Sequence, residues 1–267
     1  MTPIILWELK QRRMYALAWA IGVLAIVATL LLLYPSIHHQ ASQLNDILGK
    51  LPPALRDLKT GGTGGEITSP TGFLNSQVFY ATLPLFYIIM SIGLGGSLLA
   101  RDEQNHTLEL LLARPISRSR ILGAKAIAGS LTVLLVAAVA TIAMMLLAPA
   151  VDITIPAQNL LLANLVCAVF SLSFGAIAFA LTAASTRTRQ AGTAIATIIS
   201  LAGYLLASLS GLTHFLKTPA TLLPYHYYSP AQILAGHLSI GLCLYLAAIF
   251  AVSASLGWAG FCRRDIY

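Results

Sequence analysis

Six apolar runs, each about 20 residues or longer, fix what this chain can become: 14–34, 76–100, 121–148, 160–184, 191–212 and 239–260. A run of that length crosses the hydrocarbon core of a bilayer as one helix. Lipid offers no water to the backbone, so each run must pair its own N–H and C=O groups, which an α-helix does. The apolar core of a cleaved secretion signal is about 7–15 residues long, too short to account for any of them. Only 9% of residues are charged and 57% are hydrophobic, with mean hydropathy +0.80. Soluble domains carry roughly 25% charge. The expected fold is all-α: one polytopic unit over 1–267 with six transmembrane helices, preceded by an interfacial helix.

That first helix is expected over 1–13. Thr2 caps it, Pro3 takes the first helical position, and Ile4, Ile5, Trp7 and Leu9 alternate with Glu8, Lys10, Arg12 and Arg13. Pro35 is expected to close the first span, with an outer connection following over 35–75. Leu44, Ile47, Leu48, Leu51, Leu55 and Leu58 recur there at helical spacing, Pro52-Pro53 divides them, and Gly61-Gly62-Thr63-Gly64-Gly65 ends the segment. That glycine run is a connector, because no G-x-x-x-x-G-K-[ST] occurs in the chain. In the spans, Pro84 is placed to kink the second helix, and Gly93, Gly95 and Gly96 allow close helix contact. Gly192, Ala196 and Ser200 form a similar small-residue stripe in the fifth. Tyr225, Tyr227 and Tyr228, beside the last span, are expected in an aromatic belt at the headgroups.

The stretch 101–125, RDEQNHTLELLLARPISRSRILGAK, departs from this pattern, with five basic and three acidic residues between the second and third spans. Asn105 or Thr107 can cap a short helix, Glu109 suits its positive end, Arg114 its negative end, and Pro115 stops it. Leu108, Leu111 and Leu112 then share one face. Such a helix rests either on lipid headgroups or on a protein partner, and spacing alone leaves both open. Ser117 is placed to cap the third span.

Glu103, Thr107-Leu108-Glu109-Leu110-Leu111-Leu112, Arg114-Pro115-Ile116-Ser117-Arg118 and Lys125 resemble the first cytoplasmic loop of ABC exporter permeases of the second type. His106 stands where that pattern has glycine, Ala113 where serine is common, and Ala124 separates Gly123 from Lys125. The basic N-terminal helix, the Ser229-Pro230 element before the last span and the terminal Phe261-Cys262-Arg263-Arg264-Asp265 are also similar. The resemblance extends to drug- and antibiotic-export permeases and to nitrous-oxide-reductase maturation permeases. It implies a coupling helix within the loop 101–120, seated on a separate ATPase. The implied contact residues are Glu103, Thr107, Leu108, Glu109, Leu112, Arg114, Pro115 and Arg118, supported by Trp7, Glu8, Arg12 and Arg13 of the N-terminal helix. It further implies two ATPase copies holding ATP and magnesium, a second permease copy, and no cofactor or catalytic residue in this chain.

Charge placement supplies the topology. Twelve of the 16 Lys and Arg fall on the side of both termini and of the 101–120 loop, leaving Lys50, Arg56, Lys59 and Lys217 opposite. The positive-inside rule then makes both termini cytoplasmic, in a cell's inner membrane, and explains the net charge of +7 without nucleic acid. All nine acidic residues are expected outside the spans, which argues against an ion-driven transporter relaying protons on intramembrane carboxylates. No H-E-x-x-H or convergent acid–base pair appears. The six histidines are scattered, and Cys167, Cys243 and Cys262 lack the short paired spacing of a metal or disulfide scaffold, so no metal is expected. An ATP-driven exporter permease is the leading expectation. A permease that transmits force to an outer maturation partner, and a membrane scaffold, are its alternatives.

Overall fold

A computed structural model describes residues 2–40, 69–104, 117–184, 189–209 and 221–263. Among these residues there are no strands, and six helices are long and apolar enough to cross a membrane. We number the helices α1 (Thr2–Gln11), α2 (Arg13–His39), α3 (Pro70–Gln104), α4 (Arg118–Leu147), α5 (Ala157–Ala184), α6 (Arg189–Leu209), α7 (Pro224–Tyr227), α8 (Pro230–Leu234) and α9 (Ile240–Arg263). The chain is an all-α, multi-pass membrane protein.

Several expected boundaries move. Residues 35–39 and 70–75, expected in the outer connection, are helical: α2 continues through Pro35, and α3 begins at Pro70 under a Ser69 cap whose Oγ accepts the Gly72 N–H at 3.1 Å. A proline removes one ladder hydrogen bond, yet neighbouring helices can hold such a segment in place. Here Tyr34, buried, packs on Phe73 with ring centroids 5.0 Å apart. Residues 101–104 and 118–120, expected in the inner loop, are likewise the end of α3 and the start of α4. Ser117 occupies the cap position of α4 without a side-chain cap bond. Before Pro84 the helix widens into a π-helix over Leu74–Thr82, and the absent Pro84 N–H relaxes the ladder where the α register resumes.

α5 is the hub. α3 lies along it most intimately, α4, α6 and α9 pack around it, and α2 and α1 lean on α4. The α3–α5 crossing is made by glycines. A Cβ at Gly95 would lie 2.3 Å from the Gly175 carbonyl oxygen, and one at Gly175 would lie 2.7 Å from the Ser91 carbonyl oxygen. Without a hydrophobic drive between helices in lipid, close backbone approach is how such pairs gain dispersion energy. Gly192 and Ala196 of α6 are buried, and Gly192 faces Leu181 of α5, which bears out the packing role of that stripe.

The outer face of the bundle is apolar, and some polar side chains lie inside it. Leu17, Ile21 and Leu32 of α2 are exposed, whereas Asn164 of α5 is fully buried. Its Nδ2 donates to Ala137 O and Thr141 Oγ1, both at 2.7 Å, and its Oδ1 accepts from Tyr87 OH at 3.0 Å, tying α3, α4 and α5 together. Interhelical hydrogen bonds in membranes contribute about 0.6 kcal/mol on average, up to about 1.7. Asn164→Ala removes three and strands the Tyr87 hydroxyl, so a loss of about 1–3 kcal/mol is expected in reversible denaturation from mixed micelles.

The expected headgroup belt is corrected in part. Tyr225 and Tyr228 are buried, Tyr228 stacking on Phe170 at 4.4 Å and donating its OH to Phe79 O at 2.9 Å. Burial pushes both phenols' pKa values up, so they stay neutral. The two proline-started turns α7 and α8 fold these rings back into the bundle; Tyr227, half-buried, stacks instead on Tyr245 of α9. Sequence neighbours at one interface thus point in different directions.

Candidate functional site

The expected coupling helix falls on 105–116. Thr107, Leu108, Glu109, Leu112, Arg114 and Pro115 therefore lie outside the described residues. What the structure places are the two ends of that loop and the helix that lies across them.

At the loop's entry, Asp102 is buried while Glu103 next to it is half-buried. At its exit, Arg118 is half-buried and reaches α9, its Nη1 donating to Phe261 O at 3.4 Å and Cys262 O at 3.5 Å. The last carbonyls of a helix have no partner within it and carry its negative partial charge, so a guanidinium is well placed there.

Helix α1 packs against α4 at this same end of the bundle. It is amphipathic in an unexpected sense: Leu6 and Trp7 face outward, 61% and 43% exposed, with Lys10 also exposed, while Glu8 is fully buried. The outward face suits a membrane interface. The inward face carries an ion pair, Arg12 Nε donating to Glu8 Oε1 at 3.0 Å across one helical turn. Arg12 then continues into α3, its Nη1 donating to Ser97 Oγ at 2.9 Å and its Nη2 to Ser97 O at 3.1 Å.

From the other side comes Lys125 of α4, completely buried. Its ammonium donates to Glu8 Oε2 at 3.4 Å, to Leu98 O at 3.0 Å and to Asp102 Oδ2. Two cations and two carboxylates therefore form one buried, charge-balanced knot joining α1, the end of α3 and the start of α4. Removing an ion from water costs several kcal/mol even after relaxation, which only close partners and saturated hydrogen bonding can offset. All three Lys125 protons are used, as are both Glu8 oxygens.

This corrects the expectation that every carboxylate lies outside the spans. Asp102 belongs to α3, and Glu8, expected on an interfacial helix as a support of the ATPase contact, is inside the protein. The physical reason is pairing: a carboxylate and an ammonium neutralise one another where neither could remain alone. The sequence signal available was Glu8 and Arg12 at the i, i+4 spacing. Nothing in it located Asp102 or Lys125 as their partners.

The knot contains no nucleophile or free base, and no group of three or more His, Cys, Asp or Glu comes together among the described residues. Through the knot α1, the end of α3 and the first turns of α4 are tied to one another. The family model described as ABC-2 family transporter protein matches residues 2–259. No curated protein matches the chain.

Proposed function

Since the chain belongs to the ABC-2 family of transporter proteins and is a membrane permease subunit, we propose that it serves an ATP-driven exporter whose energy enters through the 101–120 loop. In this reading both termini and the loop face the cytoplasm, in the inner membrane. Two copies of a separate ATPase, holding ATP and magnesium, dock on two copies of this permease. Leu108, Leu112, Glu109, Thr107, Arg114 and Pro115 make the contact, with Glu103 and Arg118 flanking it at the helix ends. Trp7 on the outer face of α1 and Arg13 at the start of α2, both exposed, are available to extend it. Glu8 and Arg12 act from inside, holding α1 to the loop's ends.

The observation that supports this reading is the buried knot. A loop that merely rested on headgroups would not need its two ends fixed by four buried charges. With them fixed, displacement of the loop by a closing ATPase passes into α3 and α4 as a rigid movement rather than being absorbed by local bending. Through α3, it reaches the glycine crossing with α5.

The test is recovery of the complex. The tagged wild-type chain is expected to co-purify with an ATPase chain in equal amount from its native membrane. Glu109→Lys, or Leu108→Ala with Leu112→Ala, is expected to reduce that recovery at least tenfold while the permease keeps its thermal stability. Undiminished recovery from the double variant would remove the coupling assignment. A wild-type chain isolated in mild detergent with nucleotide and no ATPase would favour a scaffold.

A further inference from the structure

A cavity of about 400 Å³ opens between α4 and α9, with α3 and α5 forming its back wall. Ser119 and Trp258 at the α1 end are exposed, as is Ala254 farther along, so the cavity opens at that end and along the seam between α4 and α9. Along α4 the wall continues to Val133, which at the α-helical rise is about 21 Å. One leaflet contributes about 15 Å of hydrocarbon. The cavity is thus long enough to reach the middle of the bilayer, and its volume lies in the range of small-molecule sites.

Its lining excludes charge. No acidic or basic side chain contributes to it, and an ion held there would be unpaired. At the deep end, however, is a polar group with nothing to bind. Ser91 lines the back wall and is 2% exposed, and its hydroxyl, enclosed in the rotamer seen, has no hydrogen-bond partner among the described residues. Thr132, Thr141, Ser171, Ser173 and Thr182, also buried in these helices, each donate to a backbone carbonyl three or four residues earlier. Ser91 has not taken that route. A buried polar group left unsatisfied calls for an explanation, and in lipid no bulk water supplies one. Ser130 and Ser253 line the same cavity.

We propose that this cavity binds an uncharged, elongated amphiphile, a single hydrocarbon chain with one hydroxyl or carbonyl group, inserted polar group first so that it hydrogen-bonds Ser91 once that side chain turns its Oγ about χ1 toward the cavity it lines. The site is complete within one chain and needs neither an ATPase nor transport, so it stands or falls separately from the coupling reading. The amphiphile is either a membrane lipid component or a solute that partitions into the bilayer.

Trp258 provides the readout. In Trp7→Phe with Trp19→Phe it is the remaining tryptophan of the three. The full chain in nanodiscs is titrated with 10-bromodecan-1-ol and, separately, with 1-bromodecane, whose bromine quenches indole. The alcohol is expected to give a saturable component, and the alkane only the linear quenching of a lipid-dissolved compound. Ser91→Ala, which keeps the Cβ, should raise the half-saturating alcohol concentration about tenfold, and Ala126→Phe, which fills the slot, should abolish saturation. Saturation by both compounds alike, unchanged in Ser91→Ala, would overturn the proposal, as would no saturation by either, the result if only bulk lipid or a second copy covers this face. A chain that co-purifies with a neutral lipid lost in Ala126→Phe identifies the membrane as the source; saturation by added alcohol with no such lipid identifies a partitioning solute.

Discussion

Lys125→Met is expected to destabilise the protein by about 3–5 kcal/mol, the usual cost of removing one partner of a buried ion pair. Methionine nearly matches the volume of lysine, so the loss is electrostatic rather than steric. Glu8 would keep Arg12 but lose the ammonium, Asp102 would lose the ammonium that neutralises it, and the Leu98 carbonyl would lose that donor. Adding Asp102→Asn to Lys125→Met restores charge balance, leaving the Glu8–Arg12 pair, and is expected to recover more than half of the loss. Removing partners from a network in contact is not additive, and that departure from additivity is the quantity to measure. Reversible denaturation in mixed micelles of the two single variants and the double gives it directly. Two single losses that simply add in the double would show that these groups do not share a network.

Gly95→Val is expected to have a comparable effect for a different reason. Its Cβ would be placed 2.3 Å from the Gly175 carbonyl oxygen and 3.1 Å from the Phe179 amide nitrogen. Both are backbone atoms of α5, so no rotamer change can relieve the contact. The helices must separate, forfeiting packing along the central pair of the bundle. Overpacking costs about 1–3 kcal/mol where side chains can adjust and more where they cannot. A loss above about 3 kcal/mol is therefore expected, with reduced recovery of folded protein. Gly22, in lipid-facing α2, is the control: nothing lies within 4 Å of a Cβ there. Gly22→Ala is expected to leave stability unchanged or raise it by up to about 1 kcal/mol through helix propensity. Equal effects at the two glycines would refute the close crossing.

How much of this was legible beforehand differs between spans and site. The spans were read from length and hydropathy because a lipid-exposed segment has no other way to pair its backbone. Their ends were read less well. Pro35 looked like a stop, yet α2 passes through it, because Tyr34 and Phe73 hold the turn in contact. The glycines of α3 were visible as a close-contact signal, but which of them meets α5 depends on helix rotation, to which a list of small residues is blind.

The site was legible only as charge. Glu8, Arg12, Asp102 and Lys125 are plain in the sequence as charged residues at or near span ends, with nothing local to mark them as partners. Solvation of a charge depends on its surroundings in three dimensions, and separations of 94 and 117 positions from Glu8 to its neighbours Asp102 and Lys125 leave no local trace. The tyrosines before α9 show the same limit: an aromatic cluster at a membrane boundary fits a belt or a core equally well until two short turns decide which way each ring faces.

By itself, then, the sequence determined the element type, the number of crossings and the segment carrying concentrated charge, since backbone hydrogen bonding in lipid and the cost of dissolving ions there act on each segment independently. Only the tertiary structure decided which charges are buried, which glycines touch and which hydroxyl is left without a partner. These depend on what a neighbouring helix presents at the same depth, and in a bilayer that is set by packing between helices and not by the hydrophobicity they share.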